Sequence, residues 1–194
     1  MKLFFTNPSL WWKFEGKFYL RDFRIGIRNL IKWLPVIWKD RDWDSYYIYK
    51  IIEHKLKLQS DSIGKRDIHV NAKRDAEVMK TCVNLIQKIT DSFYELEYTD
   101  YYKCDYWFED INDKPGYSTM EHEIQGEWFD EYFTKYPLIY KRVLSGEGIF
   151  DINKNDLKSE RKKTIAMNIA HINQDRARTL LFKILSENIE GWWD

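Results

Sequence analysis

The sequence predicts an all-α fold: a compact bundle of about five helices in a single domain, residues 1–194, with an aromatic and acidic excursion at 94–117. Three observations predict it. Apolar residues recur at three- and four-residue intervals along most of the chain. The interruptions of that rhythm fall at prolines, glycines and capping residues. A chain of 194 residues is also long enough to bury roughly 70 % of the surface its unfolded form exposes, so such a bundle needs no staples.

Composition narrows the function classes. Basic and acidic residues balance at 31 each, so no global field draws the protein to nucleic acid or anionic lipid, and no extended nucleic-acid surface is expected. The two cysteines, Cys82 and Cys104, show neither zinc spacing nor a disulfide framework, which fits a reducing compartment. The apolar run in residues 1–8 is too short for a signal peptide, and no stretch of about 18 apolar residues occurs. The expectation is a soluble, intracellular chain with no membrane partner. Aromatics reach 17 %, with nine tryptophans; such rings fill cores and are also enriched where proteins bind.

Residues 1–18, broken by Pro8 and Gly16, read as an irregular strap. Leu20, Phe23, Ile27, Leu30, Ile31 and Leu34 then mark one face of a helix that should end or kink at Pro35, because proline lacks the donor and crowds the preceding turn. Arg21, Arg24, Arg28 and Lys32 form a basic stripe on the other side. Such a stripe is ordinarily a solvated face, and its sharper reading is an anion site, since guanidinium forks grip phosphate with two hydrogen bonds.

The run from Trp38 to Asp44, Trp-Lys-Asp-Arg-Asp-Trp-Asp, marks the change to the next helix. Asp42 and Asp44 suit its free N–H groups and positive end, and Trp43, Tyr47, Ile51, His54 and Leu58 follow at helical spacing. Residues 60–68 read as a loop. Asn71 would cap a third helix whose stripe is Ala72, Ala76, Met79, Cys82, Val83, Ile86, Ile89 and Phe93. Cys82 on that stripe is a core residue, not a nucleophile. His69 and Arg74 stand at its start, where free N–H groups favour an anion; a capping and salt-bridge cluster would use the same residues.

Residues 94–117 interleave Tyr94, Tyr98, Tyr101, Tyr102, Tyr106, Trp107 and Phe108 with acidic side chains. They read as a loop-rich excursion with room for a short hairpin, its charge unsuited to nucleic acid and its rings suited to a protein contact. Ser118-x-x-Glu121 has the form of a capping box for a helix carrying Ile124, Trp128, Phe129, Tyr132, Phe133 and Tyr136 up to Pro137. Residues 151–162 begin like a calcium loop, but Asp156 replaces the required glycine and Lys162 the final glutamate, so that reading fails. A long helical segment from Asp156 to about Glu190 would turn Ile165, Ile169, Ile172, Leu180, Ile184 and Leu185 inward, with a break near Asn173. Lys158, Arg161, Lys162, Lys163, Arg176, Arg178 and Lys183 make its other side basic. The closing Trp192 and Trp193 are expected to dock on the body.

Three blocks carry a family resemblance. They are the Trp38–Asp44 run with His54-Lys-Leu56, then His69-Val-Asn-Ala-Lys-Arg-Asp-Ala76, and finally His171 with residues 176–185 and the terminal Trp-Trp-Asp. Together, over about half the chain, they resemble a family of uncharacterised proteins encoded by tailed bacteriophages; residues 94–160 lie outside the match. The resemblance implies a phage gene product acting in the cytoplasm of the host bacterium, and it hands over no catalytic residues.

No catalytic set is legible. The four histidines are isolated, and no phosphate loop or nucleophile motif appears. Glu123, Glu127 and Glu131, with Asp130, would share a helical face, and helical pyrophosphohydrolases hold magnesium with paired acidic helices; only Glu127-x-x-Asp130 has that spacing here. No metal and no cofactor is expected. The reading that remains is a phage accessory binding protein. It is either a sponge for a signalling nucleotide in anti-defence or an inhibitor of a host protein through residues 94–113, with a phosphohydrolase or a virion component as further alternatives. For the nucleotide, the candidate residues are Arg21, Arg24, Arg28, Trp43, His69, Arg74, His171, Arg176 and Arg178, offering rings for a base and cations for phosphate. Compact helical chains often pair through apolar faces, so a homodimer is expected.

Overall fold

The structure is a computed structural model and describes residues 12, 16–66, 70–111, 116–155 and 158–193. His69 and most of the predicted strap fall outside them. The chain divides into two compact units, residues 1–54 and 55–194.

In the first unit, α1 spans Lys17–Ile37. It does not stop at Pro35 but runs two residues further; the missing proline N–H falls in the last turn, and the Trp38 N–H closes that turn on the Leu34 carbonyl at 3.0 Å. None of its residues is buried. Trp33 is half-buried and meets His54 edge-on, ring centroids 5.0 Å apart. After the turn, Asp44 Oδ1 accepts a hydrogen bond of 2.9 Å from the Tyr46 N–H, the N-cap expected of it. It opens α2, Ser45–Arg66, within which the boundary between the units falls.

The loop expected at 60–68 is helix as far as Arg66. Its apparent loop formers serve packing instead. Ser60 is buried, with its hydroxyl turned back on the Lys57 carbonyl at 3.1 Å. A Cβ on Gly64 would stand 3.3 Å from that of Ala76, so glycine lets α2 approach α3, Ala72–Thr90. In α3 the stripe from Ala72 to Ile89 is buried as predicted. Phe93 leaves it, because Ser92 takes a left-handed φ of 52° and ends the helix.

A short helix α4, Phe93–Leu96, passes into a 3-10 turn, Glu97–Tyr101, and then into strand β1, Tyr102–Asp110. β1 pairs antiparallel with β2, Ser118–Glu127, from Tyr102 opposite Glu127 to Asp110 opposite Ser118, with a bulge at Lys103/Cys104. The protein is therefore mainly α with a two-stranded sheet, not all-α. The short hairpin left open for the excursion is present and its described residues are mostly regular structure, while Ser118-x-x-Glu121 begins a strand, not a helix. Pairing decides this: Tyr106 against His122 and Phe108 against Met120 give cross-strand contacts that a four-residue capping signal cannot match.

The Trp128 N–H bonds the Tyr101 carbonyl at 3.0 Å, closing the base of the hairpin. There follow α5, Phe129–Lys135, α6, Pro137–Leu144, with proline in its first turn, and α7, Lys158–Asn188. α7 runs unbroken through Asn173. Leu180, expected inward, is 47 % exposed, while Ala177 and Leu181 are buried. The buried stripe advances in steps of four through Asn173 because polar side chains on this helix also have buried work: Gln174 Nε2 donates to the Ile89 carbonyl at 3.0 Å. Phe129, Tyr132, Phe133, Ile139, Val143, Ile165, Ala166 and Ile169 form one core cluster of the second unit, ringed by Tyr98, Tyr101, Tyr102 and Tyr140. Trp192, in a closing 3-10 turn at Gly191–Trp193, is buried as expected.

Candidate functional site

Where α4, the end of α5 and the second half of α7 meet α3, the second unit holds an open cavity of about 530 Å³. Leu85, Ala177 and Leu180 give it an apolar floor, and Tyr94 and Tyr136 supply rings. Arg176 and Lys183 bring two cations to one face of α7, two turns apart, and Asn173 also lines the cavity.

Tyr136 is fixed from behind. Its hydroxyl donates to Glu97 Oε2 at 2.7 Å, and the Lys135 ammonium holds the other oxygen of that carboxylate. Glu97 is 8 % exposed, so these partners keep its charge compensated inside the protein. Burial first, and then the hydrogen bond to Glu97, raise the Tyr136 pKa, which keeps its phenol a neutral donor. The hydrogen bond to Glu97 likewise raises that of Lys135.

Asn173 is 8 % exposed, and among the described residues its Nδ2 has no hydrogen-bond partner. It faces the fully buried Tyr132 hydroxyl without closing a bond to it. That nitrogen is closed off from solvent, so Asn173 packs in the wall of the cavity and offers it no N–H donor. Arg176 forms no ion pair among the described residues, and Lys183 stands 3.9 Å from Glu187 Oε1. Two cations and two rings beside apolar side chains are elements that can hold a planar, anionic molecule.

The other predicted site residues lie elsewhere. Arg178 pairs with Asp175 at 3.1 Å. His171 packs on Phe150, centroids 5.1 Å apart, within 3.9 Å of Glu95 Oε1. Arg74 is exposed in the first turn of α3. In the first unit, Arg21 pairs with Asp22 at 3.1 Å and lies over the Phe18 ring, while Arg24, Arg28 and Trp43 are exposed. Arg176 alone of the predicted set lines the cavity. Sequence reading missed Tyr94, Tyr136, Asn173 and Lys183 as site residues. The signal for Asn173 was present, as an amide interrupting an otherwise apolar helical stripe.

The acidic face expected from Glu123, Glu127 and Glu131 does not form, because Glu123 and Glu127 lie on β2 and Glu131 on α5. Lys162 bridges Glu127 Oε1 at 3.0 Å and Asp130 Oδ2 at 2.9 Å. Those hydrogen bonds, to Asp130 first and then Glu127, raise its pKa. An ammonium thus sits between the one correctly spaced pair. Among the described residues no group of three His, Cys, Asp or Glu side chains could hold a metal ion.

Fold and cavity together define the class: a mainly α protein whose second unit carries an open cavity lined by two tyrosine rings and two cations. No family model matches the chain, and no curated protein or solved structure matches it.

Proposed function

We propose that this protein binds a small anionic molecule with a planar ring, a nucleotide, in the cavity between Tyr94, Tyr136 and α7. We further propose that it serves a bacteriophage as a sponge for a signalling nucleotide in the cytoplasm of the infected bacterium. One observation carries the binding: Arg176, which forms no ion pair among the described residues, converges with Lys183 and the two tyrosine rings on one cavity. The phage setting rests on the three motif blocks.

The purified protein, incubated with a nucleotide extract of infected bacteria, washed and heated, should release an intact nucleotide identifiable by mass spectrometry. Arg176→Ala should lower the recovered ligand by at least about tenfold, as expected for a charge-assisted contact, with an unchanged melting temperature. Arg178→Ala, paired to Asp175 outside the cavity, should bind as the parent does. Equal recovery by Arg176→Ala would remove the cavity from the account, and conversion of the nucleotide to a new product would make the protein an enzyme.

A second reading, inhibition of a host protein, is favoured by the β1–β2 hairpin. Tyr106, Trp107 and Phe108 are exposed there beside Asp105, Glu109 and Asp110, a surface suited to a basic partner. Alanine at Trp107 and Phe108 that abolishes host-protein capture and leaves nucleotide recovery intact would make the hairpin the principal working surface.

A further inference from the structure

The largest feature that the cavity leaves unexplained is α1. It is a helix of 21 residues with no buried residue, yet one side is a continuous apolar strip. Phe23 is 66 % exposed, Leu30 60 % and Ile31 68 %, with Leu20, Ile27 and Leu34 beside them. Trp33, which meets His54, is half-buried, and the strip is exposed among the described residues. α1 also carries a basic stripe: Lys17, Arg21, Arg24, Arg28 and Lys32 stand against the lone carboxylate Asp22, in a chain whose total charge is zero.

We infer, against the expectation of no membrane partner, that α1 is a membrane-surface helix that lies in the plane of an anionic bilayer. Its apolar strip enters the boundary between headgroups and acyl chains while its guanidinium groups hold lipid phosphates. The pattern is the one such helices need: a polar face rich in Lys and Arg, Phe and Leu on the apolar face, and too little total hydrophobicity to span. No helix among the described residues is long and apolar enough to cross a membrane, which leaves the in-plane mode. The arginines have stems long enough to reach headgroups from the edge of the strip. Charge decides the occupant. Two copies of α1 laid face to face would bring five cations against five, whereas a negatively charged leaflet neutralises them. The exposed Trp38 just beyond the helix is the residue type favoured at that interface. This reading rests on α1 and is independent of the cavity and its ligand.

The test is flotation of the full-length protein with vesicles of phosphatidylcholine alone and with about 30 % phosphatidylglycerol, a composition that gives a negative surface potential. The protein should float with the anionic vesicles, stay below with the neutral ones, and be released as salt screens the charge. The double substitution Phe23→Asp, Ile31→Asp should abolish flotation. Arg24→Gln with Arg28→Gln, exposed changes that leave the apolar strip intact, should lower the partition coefficient roughly thirtyfold, as two lost lipid contacts would. Circular dichroism of each variant separates loss of binding from loss of fold. Absence of flotation, equal binding to neutral vesicles, or wild-type flotation by the arginine variant would overturn the inference. A stable dimer that fails to float would assign the strip to a second copy.

Discussion

Side chains in the second unit set their own local rules, and Asn168 shows this most sharply. It is fully buried, accepts from the Phe150 N–H at 2.8 Å and donates to the Phe150 carbonyl at 2.9 Å. One amide thereby fastens the segment after α6 to α7. The fit leaves no room at Gly148, where a Cβ would lie 2.7 Å from Asn168 Cγ. Asn168→Leu should lower stability by about 2–4 kcal/mol, since it strands two backbone groups, and Gly148→Ala by about 1–3 kcal/mol through overpacking. Because both act through one contact, the double variant should lose less than the two changes separately, which urea unfolding would measure.

Tyr132 makes a pH prediction. Burial first, then the neighbouring Glu97 charge, raise its pKa above the ordinary 10.0. With the folded value above the unfolded one, its contribution is fully present below about pH 10. It falls as pH rises further, because the unfolded chain ionises first, with a limiting slope of about 1.4 kcal/mol per pH unit. Tyr132→Phe should flatten that fall. At neutral pH it should change stability by no more than about 1 kcal/mol, since the hydroxyl has no partner among the described residues. Unfolding midpoints between neutral pH and about pH 11 would show it; an unchanged alkaline slope would contradict it.

Among the elements, the hairpin differs most from expectation. Most of its residues are exposed beyond Cys104; the Trp128 to Tyr101 hydrogen bond and the Lys163 ammonium 5.2 Å from the centre of the Tyr102 ring anchor its base, and midway along it His122 Nε2 stands 3.2 Å from Glu160. A two-stranded sheet has little stability of its own in water. Amides of Tyr106, Phe108 and Met120 should therefore exchange with solvent at least roughly a hundredfold faster than those of Ile86 and Ile169 in the core helices. Equal protection would mean that the hairpin is covered in solution. The strand was legible in part: Tyr102, Cys104 and Tyr106 alternate with Lys103 and Asp105, a period of two, before Trp107 and Phe108 break it. Its mate was not, because Ser118 to Glu121 carries a helix signal that holds only while no strand lies alongside.

For the whole molecule the two units matter. The second contains the clustered core, the cavity and the hairpin, whereas α1 belongs to the first. A chain beginning at residue 42, which keeps the Asp44 cap of α2, should still unfold cooperatively and bind nucleotide but should no longer float with anionic vesicles. Thermal melts, ligand recovery and flotation of the same preparation would check all three. A non-cooperative melt would show that the second unit depends on the first.

Helical identity is largely a property of the sequence here, because the three-to-four spacing that buries Ala76, Met79, Cys82 and Ile86 of α3 is imposed by the geometry of one helix and needs no knowledge of its neighbours. The Asp44 cap and the burial of Trp192 were legible for similar local reasons. What the tertiary structure decided depends on partners distant in the chain. It paired β1 with β2, recruited Ser60 and Gly64 to helix packing, and carried the buried side of α7 through Asn173 and Leu181 instead of Leu180. It also drew Tyr94, Tyr136, Asn173 and Lys183 around Arg176. The spacing of charges along a helix says which of them share a face, but only packing decides which face lines a cavity and which meets water.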